Sequence, residues 1–349
     1  MSAIPLFHVA FTGDFQDAHG VSKYREFGRE TLQSESHIRH RIISGCQPEL
    51  TADEIGTDQG VVVLTPKVTR QSVADRPDLL AIARFGVGFD SVDIQACTES
   101  DVLVTIAVGA VDRSVAEATL TWMLSLSHHV RTKDHLVRSG RWDDRSLFMG
   151  SELRRKTLGL VGFGRIAQAV AQLVNGLGMA SILAYDPQVD VPTAQRLGVE
   201  IVSLETLLTR SDFVSIHCPL LEQTRNLIAA PELALMKPEA FLINTARGGI
   251  VNEEALYERL SAGGIAGAAI DVFETEPVTP AHPTRLAELD NVLLAPHSIA
   301  WTHELFREIG ETACRGLVEI SRGQVPRGIV NPEVLNRPGF QRKWARWKT

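Results

Sequence analysis

The sequence is poor in the residues that build disulfide frameworks and metal sites. Its 349 residues include only four cysteines, which are widely scattered and form no CxxC pair. Zinc sites and disulfide-stapled folds need cysteines at short, regular spacings. We therefore expect reduced thiols, no disulfide framework, no metal site and a cytoplasmic location.

Long apolar runs and an excess of positive charge are also missing. No apolar stretch approaches the roughly 18 residues that a membrane span requires. The N-terminal MSAIPLFHVAFTGD lacks the basic start and long apolar core of a signal peptide. The formal net charge is −7 at pH 7, which gives no electrostatic support for binding nucleic acid. The sequence thus predicts neither a membrane nor a nucleic-acid partner.

What the sequence does contain is an alternation of short apolar runs with helical patterns, which is typical of parallel α/β proteins. Its length favours two domains. The predicted strands span 6–11, 41–44, 61–64, 80–84 and 102–106, then 157–161, 182–185, 213–217, 241–244, 268–271 and 292–294.

A long helix is predicted between the two sets of strands. Ser114 and Glu117 fit a capping box at its start. The following TLTWMLSLSHHV is apolar nearly all round, which indicates burial between domains or between subunits. Behind it, Trp142, Leu147 and Phe148 interrupt a polar stretch, and they either pack locally or form an arm on a partner subunit.

A glycine-rich turn follows a predicted strand in TLGLVGFGRIA. Gly162 permits a tight turn, and Gly164 lets the backbone approach a pyrophosphate. The helix behind the turn offers free N–H groups to phosphate. Asp186 ends the next strand, where a carboxylate suits the ribose hydroxyls of NAD and would repel the extra phosphate of NADP. The sequence therefore predicts an NAD site.

The last predicted helix, over 302–322, must pack on something other than the second sheet, which is already complete. Its apolar stripe repeats at every fourth residue, at Leu305, Ile309, Ala313 and Leu317. We therefore expect a Rossmann NAD-binding domain over 111–300, inserted into a flavodoxin-like substrate-binding domain. The latter is formed by 1–110 and 301–349 and would supply the other jaw of a cleft.

Polar residues follow several predicted strands of the second set, at the edge where open parallel sheets bind ligands. They are His217, Arg247, Asp271, Glu276 and His297. For His217, followed by Cys-Pro, we favour a structural hydrogen bond over a catalytic role. An arginine, a glutamate and a histidine at neighbouring strand ends indicate chemistry.

Arg247, Glu276 and His297 suit hydride transfer between NAD and a 2-oxo acid. Reduction of a ketone places negative charge on its oxygen, which needs a proton as the hydride arrives. A histidine, with an ordinary pKa of about 6.5, can give that proton and retrieve it in the reverse direction. A nearby glutamate favours the protonated ring, and an arginine can hold a carboxylate through two parallel hydrogen bonds. The nicotinamide carries the redox chemistry, so no metal is required.

Over nearly its whole length the sequence resembles the D-isomer-specific 2-hydroxyacid dehydrogenases. The segments that carry the resemblance are ARFGVGFDSVD (83–93), SVAEATLTWML (114–124), TLGLVGFGRIA (157–167), DFVSIHCPL (212–220), FLINTARGG (241–249), DVFETEP (271–277) and APHSIAWT (295–302). The resemblance implies an NAD-dependent oxidoreductase that acts on CH–OH groups. It also implies a homodimer, with the long helix after Ser114 as the dimer element.

The resemblance assigns roles to individual residues. Arg247 would bind substrate, His297 would be the acid and base, and Glu276 would orient and polarise it. The backbone amides of Val87 and Gly88 would receive the substrate carboxylate, although an ordinary turn is the alternative there. The expected cofactor-binding residues are Gly162, Gly164, Arg165, Ile166, Asp186, His217, Pro219, Thr245, Ala246 and Asp271. Among these, Arg165 and Ile166 would meet the pyrophosphate, and Asp271 the nicotinamide carboxamide.

The substrate remains open between several acids. A small 2-oxo acid such as glyoxylate or hydroxypyruvate comes first. Phosphoglycerate dehydrogenases usually place an arginine where this chain reads Val63-Leu64-Thr65, and we expect no regulatory domain like those of many phosphoglycerate enzymes. Lys67, Arg70 and Arg84 could still reach a phosphate, so 3-phosphoglycerate is the alternative substrate.

Two further alternatives concern the kind of protein. Formate dehydrogenases carry a glutamine where Glu276 stands, which disfavours formate as the substrate. A non-catalytic NAD-sensing protein on the same scaffold is the other alternative. The intact set of Arg247, Glu276 and His297 argues against a sensor.

Overall fold

The computed structural model describes residues 5–348, which divide into two compact units. One unit combines the chain up to Val111 with the chain from Trp301 onward, and the other is Asp112–Ala300. Each unit contains its own parallel sheet, covered by helices. The predicted α/β class with two parallel sheets is confirmed.

The first unit has a five-stranded parallel sheet in the order β2-β1-β3-β4-β5, which is the flavodoxin-like order. Its strands are β1 (Phe7–Phe11), β2 (Ile38–Ile42), β3 (Gly60–Val63), β4 (Ala81–Arg84) and β5 (Leu103–Ile106). The helices between them are α1 (Arg29–Gln33), α2 (Ala52–Ile55), α3 (Arg70–Val73) and α4 (Ile94–Glu99). The central strand β3, GVVV, is buried throughout, as expected for a strand covered on both faces.

One predicted strand of this unit is misplaced. The apolar run at 41–44 suggested a strand there, but β2 spans Ile38–Ile42 and reads IRHRI. It is an edge strand whose exposed positions carry charged and polar side chains, so it produces no continuous apolar run.

The second unit has a seven-stranded parallel sheet in the order β12-β11-β10-β9-β6-β7-β8. Its strands are β6 (Thr157–Val161), β7 (Ser181–Tyr185), β8 (Val199–Ile201), β9 (Phe213–Ile216), β10 (Phe241–Asn244), β11 (Gly267–Ile270) and β12 (Val292–Leu294). The direction of strand addition reverses between β6 and β9, which is the topological switch point of a Rossmann sheet. The sequence prediction missed β8, a three-residue edge strand with two exposed residues.

Seven helices between residues 112 and 300 accompany this sheet. They are α5 (Asp112–Ser127), α6 (Val130–Arg138), α7 (Arg165–Val174), α8 (Val191–Arg196), α9 (Leu204–Arg210), α10 (Ala230–Leu235) and α11 (Glu253–Ser261). The long helix α5 packs against α7 and against β10 and β11, and most of its apolar residues are buried.

The predicted capping box at the start of α5 is wrong. The helix begins at Asp112, so Ser114 lies within its first turn and not before it. Glu117 forms an ion pair with Arg113, one helical turn away, at 2.5 Å. An acidic side chain in the first turn interacts favourably with the positive end of the helix dipole, so Asp112 suits the start of α5.

The chain after Trp301 adds a helical layer to the first unit. It contains α12 (His303–Ser321) and α13 (Pro338–Trp344). Thr302 caps α12 by accepting a hydrogen bond from the N–H of Leu305. All four residues of the predicted stripe are buried, and α12 packs against α1 and the strands β3, β4 and β5. The Trp344 indole donates to the carbonyl of Ile320 at 2.8 Å and so fixes α13 on α12.

The core of the second unit lies on both faces of its sheet. Along β6, Leu158 and Leu160 belong to one apolar cluster and Val161 to the other, because successive side chains point to opposite faces. With both faces covered, the carboxyl ends of the strands are left for ligands. Over residues 5–348, no helix is long and apolar enough to cross a membrane.

Candidate active site

The glycine-rich turn connects β6 to α7 at the switch point of the second sheet. Gly162 has a φ of 92°, and a Cβ there would lie 2.7 Å from the backbone nitrogen of Cys218, so glycine is required. Gly164 is the N-cap of α7, and a Cβ on it would meet no atom within 4 Å. This open side and the free N–H groups of the first helical turn fit a pyrophosphate.

Arg165 and Ile166 are the first two residues of α7 and contribute N–H groups to that turn. The Arg165 side chain is held by an ion pair, because its Nε donates to the Asp112 carboxylate at 2.7 Å. Within the second unit, this bond joins the start of α7 to the start of α5.

Asp186 follows β7 and holds the glycine turn directly. Its Oδ2 accepts the backbone N–H of Phe163 at 2.8 Å, and its Oδ1 accepts that of Gln188 at 2.8 Å. A carboxylate oxygen can accept a second hydrogen bond, so both oxygens retain capacity for ribose hydroxyls. The position fits the predicted cofactor contact and adds a structural role that the sequence did not indicate.

His217 and Pro219 lie in the loop after β9, against the glycine turn. The His217 ring places its Nε2 2.9 Å from the Ser215 hydroxyl. Burial lowers the pKa of His217 to about 4, so the ring is neutral at pH 7. Pro219 is exposed, and its carbonyl accepts a hydrogen bond from the Thr224 hydroxyl. This arrangement agrees with the structural interpretation of His217.

Thr245, Ala246 and Arg247 form the loop after β10, and buried Asn244 fixes its shape. The Asn244 side chain accepts the N–H of Ala246 at 3.0 Å and donates to the carbonyl of Arg247 at 2.9 Å. The Thr245 hydroxyl is buried and has no hydrogen-bond partner within residues 5–348. A bound cofactor would supply the missing partner, so this loop also fits the predicted site.

Glu276 and His297 form a hydrogen-bonded pair, with 2.8 Å between Oε2 and Nδ1. The second oxygen of Glu276 accepts the N–H of Phe273 at 2.9 Å. Burial alone would raise the pKa of Glu276, but the hydrogen bond and charge of His297, with the charge of Arg247, outweigh it and lower that pKa. Glu276 is therefore ionised at neutral pH, and the structure brings all three predicted reacting residues into one site.

The side chain of Asp271 fixes the turn that carries His297. His297 has a φ of 54°, a left-handed conformation that non-glycine residues adopt at a cost. Oδ1 of buried Asp271 accepts the N–H groups of Ser298 and Ile299 at 2.9 and 3.2 Å. Burial raises the pKa of Asp271, and these two bonds act in the opposite direction. Its predicted contact with the nicotinamide stays a prediction.

Val87 and Gly88 belong to the first unit, in the loop after β4. The loop is attached on both sides, since Phe85 donates to the carbonyl of Val63 and the carbonyl of Gly86 accepts the N–H of Ala107, both at 2.8 Å. Val87 and Gly88 themselves are half-buried. They stand at a carboxyl strand end, where the sequence predicted them.

Two of the three cations considered for a phosphate have other contacts, and the third, Lys67, is exposed. Arg70 forms an ion pair with Glu99 at 2.5 Å. Arg84 donates to the carbonyl of Phe85 within its own loop. In the described part of the chain, no group of three or more His, Cys, Asp and Glu side chains is placed to hold a metal ion.

Comparison with known proteins agrees with this geometry. Residues 120–298 match the model for the NAD binding domain of D-isomer specific 2-hydroxyacid dehydrogenases. A glyoxylate reductase of Thermococcus litoralis is 39% identical over 284 residues, which cover 80% of this chain and 85% of that protein. The chain belongs to the D-isomer-specific 2-hydroxyacid dehydrogenase family. As a member of that family it is an NAD-dependent oxidoreductase acting on the CH–OH group of hydroxy acids.

Other members of the family differ in substrate and length. A D-3-phosphoglycerate dehydrogenase of Methanocaldococcus jannaschii is 40% identical over 292 residues, which cover 83% of this chain and 55% of that protein. A D-lactate dehydrogenase of Aquifex aeolicus, solved with NAD and lactic acid, is 28% identical with a TM-score of 0.76 over 90% of this chain and 96% of that one. A Thermus thermophilus structure is 29% identical with a TM-score of 0.79 over 93% of this chain and 100% of that one.

Sequence reasoning missed the residues that hold the site's loops together. A Cβ on Gly248 would lie 1.9 Å from the carbonyl oxygen of Phe273, so the Arg247 loop touches the Glu276 loop through backbone alone. Glu253 and Glu274 each accept the other's backbone N–H, which joins α11 to the Glu276 loop. The glycine after Arg247 was the one available signal for this packing.

Proposed function

We propose that this dehydrogenase reduces a small, unphosphorylated 2-oxo acid of the glyoxylate or hydroxypyruvate type, using NADH and His297 as the acid. The observation that carries the proposal is the 2.8 Å pair between Glu276 and His297. Arg247 lies near enough to this pair to lower the pKa of Glu276.

The residues divide the work of reduction between them. NADH, when bound, supplies the hydride. Glu276 occupies Nδ1 of His297, so the ring delivers its proton from Nε2 to the ketone oxygen as negative charge develops there. The Arg247 guanidinium holds the substrate carboxylate and carbonyl, and the amides of Val87 and Gly88 receive the same carboxylate. In oxidation His297 takes the proton back.

We assign the cofactor contacts to the residues that were expected from the sequence. The N–H groups at Gly164, Arg165 and Ile166 bind the pyrophosphate. Asp186 accepts the ribose hydroxyls and disfavours NADP, because its carboxylate would face the additional phosphate. The remaining contacts are assigned to His217, Pro219, Thr245, Ala246 and Asp271.

The choice of an unphosphorylated substrate rests on charge. The end of β3 reads Val63-Leu64-Thr65 and offers no arginine. Arg70 pairs with Glu99 and Arg84 bonds the Phe85 carbonyl, so both arginines have other partners, whereas Lys67 is exposed. The Methanocaldococcus relative keeps D-3-phosphoglycerate as the second candidate.

We also assign a homodimer and a cytoplasmic location to the protein. Trp142, Leu147 and Met149 are all largely exposed in the segment after α6. Apolar side chains clustered on a surface are typical of a protein interface.

The test measures NADH oxidation with glyoxylate, hydroxypyruvate, phosphohydroxypyruvate, pyruvate and a bulkier 2-oxo acid, each repeated with NADPH. We expect glyoxylate or hydroxypyruvate with NADH to give the highest kcat/KM. His297→Ala should lower kcat by about 10² to 10⁴, the usual contribution of a general acid. His282→Ala, which removes an exposed histidine of the same unit, is the matched control.

Each contrary outcome identifies a different error. A His297→Ala enzyme that turns over at the wild-type rate would remove His297 from the mechanism. A preference for phosphohydroxypyruvate would establish the phosphoglycerate alternative. Tight NADH binding without turnover of any acid would favour the sensor.

A further inference from the structure

Asp14 is a buried carboxylate in the first unit to which the proposed reaction gives no role. It lies three residues after the end of β1 and is only 5% exposed. Its Oδ2 accepts both the backbone N–H of Thr65, at 2.8 Å, and the Thr65 hydroxyl. These two bonds join the loop after β1 to the loop after β3.

The other oxygen of Asp14 is unpaired within the described part of the chain. Oδ1 is buried and accepts no hydrogen bond from any residue between 5 and 348. The negative charge of Asp14 acts on two neighbouring groups. The pKa values of the Tyr24 phenol and the Cys46 thiol are both raised, mainly by burial and secondly by the charge of Asp14. A buried carboxylate oxygen without a donor costs free energy, so this position calls for a hydrogen-bond donor from outside the chain.

The place of Asp14 in the sheet points to the substrate. In the order β2-β1-β3-β4-β5 the direction of strand addition reverses between β1 and β3, and such a switch point is where parallel sheets bind ligands. Asp14 and Thr65 stand on its two sides. The ring of Phe15 packs edge-on against Phe85 at 5.1 Å, so the loop after β1 contacts the loop of Val87 and Gly88.

We propose that Asp14 reads the group on the third carbon of the substrate, with Oδ1 accepting a hydrogen bond from a hydroxyl there. The inference rests on the proposed function, since it concerns the far end of the same 2-oxo acid. A hydroxymethyl group satisfies Oδ1, a methyl group leaves it unsatisfied, and a phosphate is repelled by it. Asp14 therefore makes hydroxypyruvate-type acids the preferred class among three-carbon substrates.

The test compares wild type with Asp14→Asn on four acids. Asparagine keeps one oxygen for Thr65 but replaces Oδ1 with an NH₂ group, which cannot accept a hydrogen bond. We expect the hydroxypyruvate-to-pyruvate ratio of kcat/KM to be at least about tenfold in wild type and to fall by about ten- to a hundredfold in the variant, the range for a hydrogen bond to a charged group. Glyoxylate, which has no third carbon, should change less than about twofold, and phosphohydroxypyruvate should improve relative to hydroxypyruvate.

Asp58→Asn is the matched control. Asp58 is equally buried and pairs with Arg41. It lies just before β3, at the amino ends of the strands, whereas Asp14 lies beyond their carboxyl ends. The loss of the Asp58 carboxylate should lower the melting temperature and leave the substrate ratios unchanged.

Three outcomes would overturn this proposal alone, and a fourth would overturn the proposed function with it. An equal loss on all four acids after Asp14→Asn would make Asp14 a structural tie between loops. An unchanged hydroxypyruvate-to-pyruvate ratio, or a wild-type preference for pyruvate, would mean that Oδ1 does not meet the substrate. These results would leave the proposed function standing, whereas a wild type inactive on every acid would overturn both.

Discussion

At the scale of single residues, Glu276 has both of its oxygens committed. Oε1 accepts the N–H of Phe273, and Oε2 meets Nδ1 of His297. The carboxylate therefore cannot rotate away, and it keeps a proton on Nδ1 in either protonation state of the ring. Glu276 thus supplies both the orientation of the His297 ring and the negative charge beside it. A mutation can remove the charge and keep the orientation.

We predict that Glu276→Gln moves the pH profile of reduction toward acid by about one unit. The lowered pKa of Glu276 means that its negative charge is present throughout the neutral range, where it favours the protonated imidazole. The amide keeps the shape of the carboxylate but removes this charge, so the acid-catalysed reduction should need a lower pH. The measurement is kcat/KM for 2-oxo acid reduction between pH 5 and 9.

Glu274→Gln is the control for that profile, since Glu274 lies in the same loop and contacts Glu253, not His297. Its profile should match that of the wild type. An unshifted profile for Glu276→Gln would show that the two side chains do not couple.

The sequence predicted a common location for Arg247, Glu276 and His297 because of a simple geometric fact. Parallel strands end at one edge of their sheet, so Arg247, Glu276 and His297 were expected together without any knowledge of loop shape. The anchoring roles of Asn244 and Asp271 depend on hydrogen bonds between loops, which have no periodicity in sequence. They became visible only with coordinates.

At the scale of elements, the glycine turn works because two backbones nearly touch. A Cβ at Gly162 would lie 2.7 Å from the Cys218 nitrogen and 2.8 Å from the His217 carbonyl carbon. The loop after β9 thus supports the turn after β6 across the switch point. Any side chain at Gly162 must displace one of them.

We predict that Gly162→Ala weakens NADH binding by at least about tenfold, because strain of 1–2 kcal/mol at a positive φ adds to the clash. Gly176→Ala is the matched control, since a Cβ there meets nothing within 4 Å and its φ is not in the left-handed region. The measurement is titration of NADH fluorescence together with the melting temperature. Equal affinities for the two variants would contradict this account of the turn.

Elements were predicted best where they are buried. The central strands β3, β9 and β10 are mostly apolar and buried throughout, and they were located to within a residue. The edge strands β2 and β8 each have two exposed residues, so their sequences resemble loops. The start of α5 was misjudged because a serine–glutamate pair within a helix looks the same in sequence as a capping box.

At the scale of the whole molecule, the segment after α6 exposes large apolar side chains, and their contact with water would be unfavourable in a monomer. Trp142, Leu147 and Met149 are 61%, 73% and 78% exposed. Trp142 and Leu147 belong to the stretch that was predicted either to pack locally or to form an arm on a partner subunit, and Met149 directly follows it. Phe148 of that stretch packs locally against the His129 ring. Their burial in a homodimer would account for them.

We predict that the double variant Leu147→Asp with Met149→Asp converts a dimer into a monomer. Two charges on an apolar interface carry a desolvation cost that no partner offsets. Val191→Asp, at an exposed apolar position elsewhere in the same unit, is the control and should leave the mass unchanged. The measurement is light scattering after size exclusion, and a monomeric wild type at micromolar concentration would contradict the proposed dimer.

The return of the chain after Trp301 has a consequence for biosynthesis. The helix α12 covers β3, β4 and β5, yet it is made only after the whole of Asp112–Ala300. On the ribosome, the inserted unit can therefore fold while the sheet of the first unit still lacks the cover of α12. The part of the chain that emerges first thus completes its packing only after the inserted unit has been synthesised.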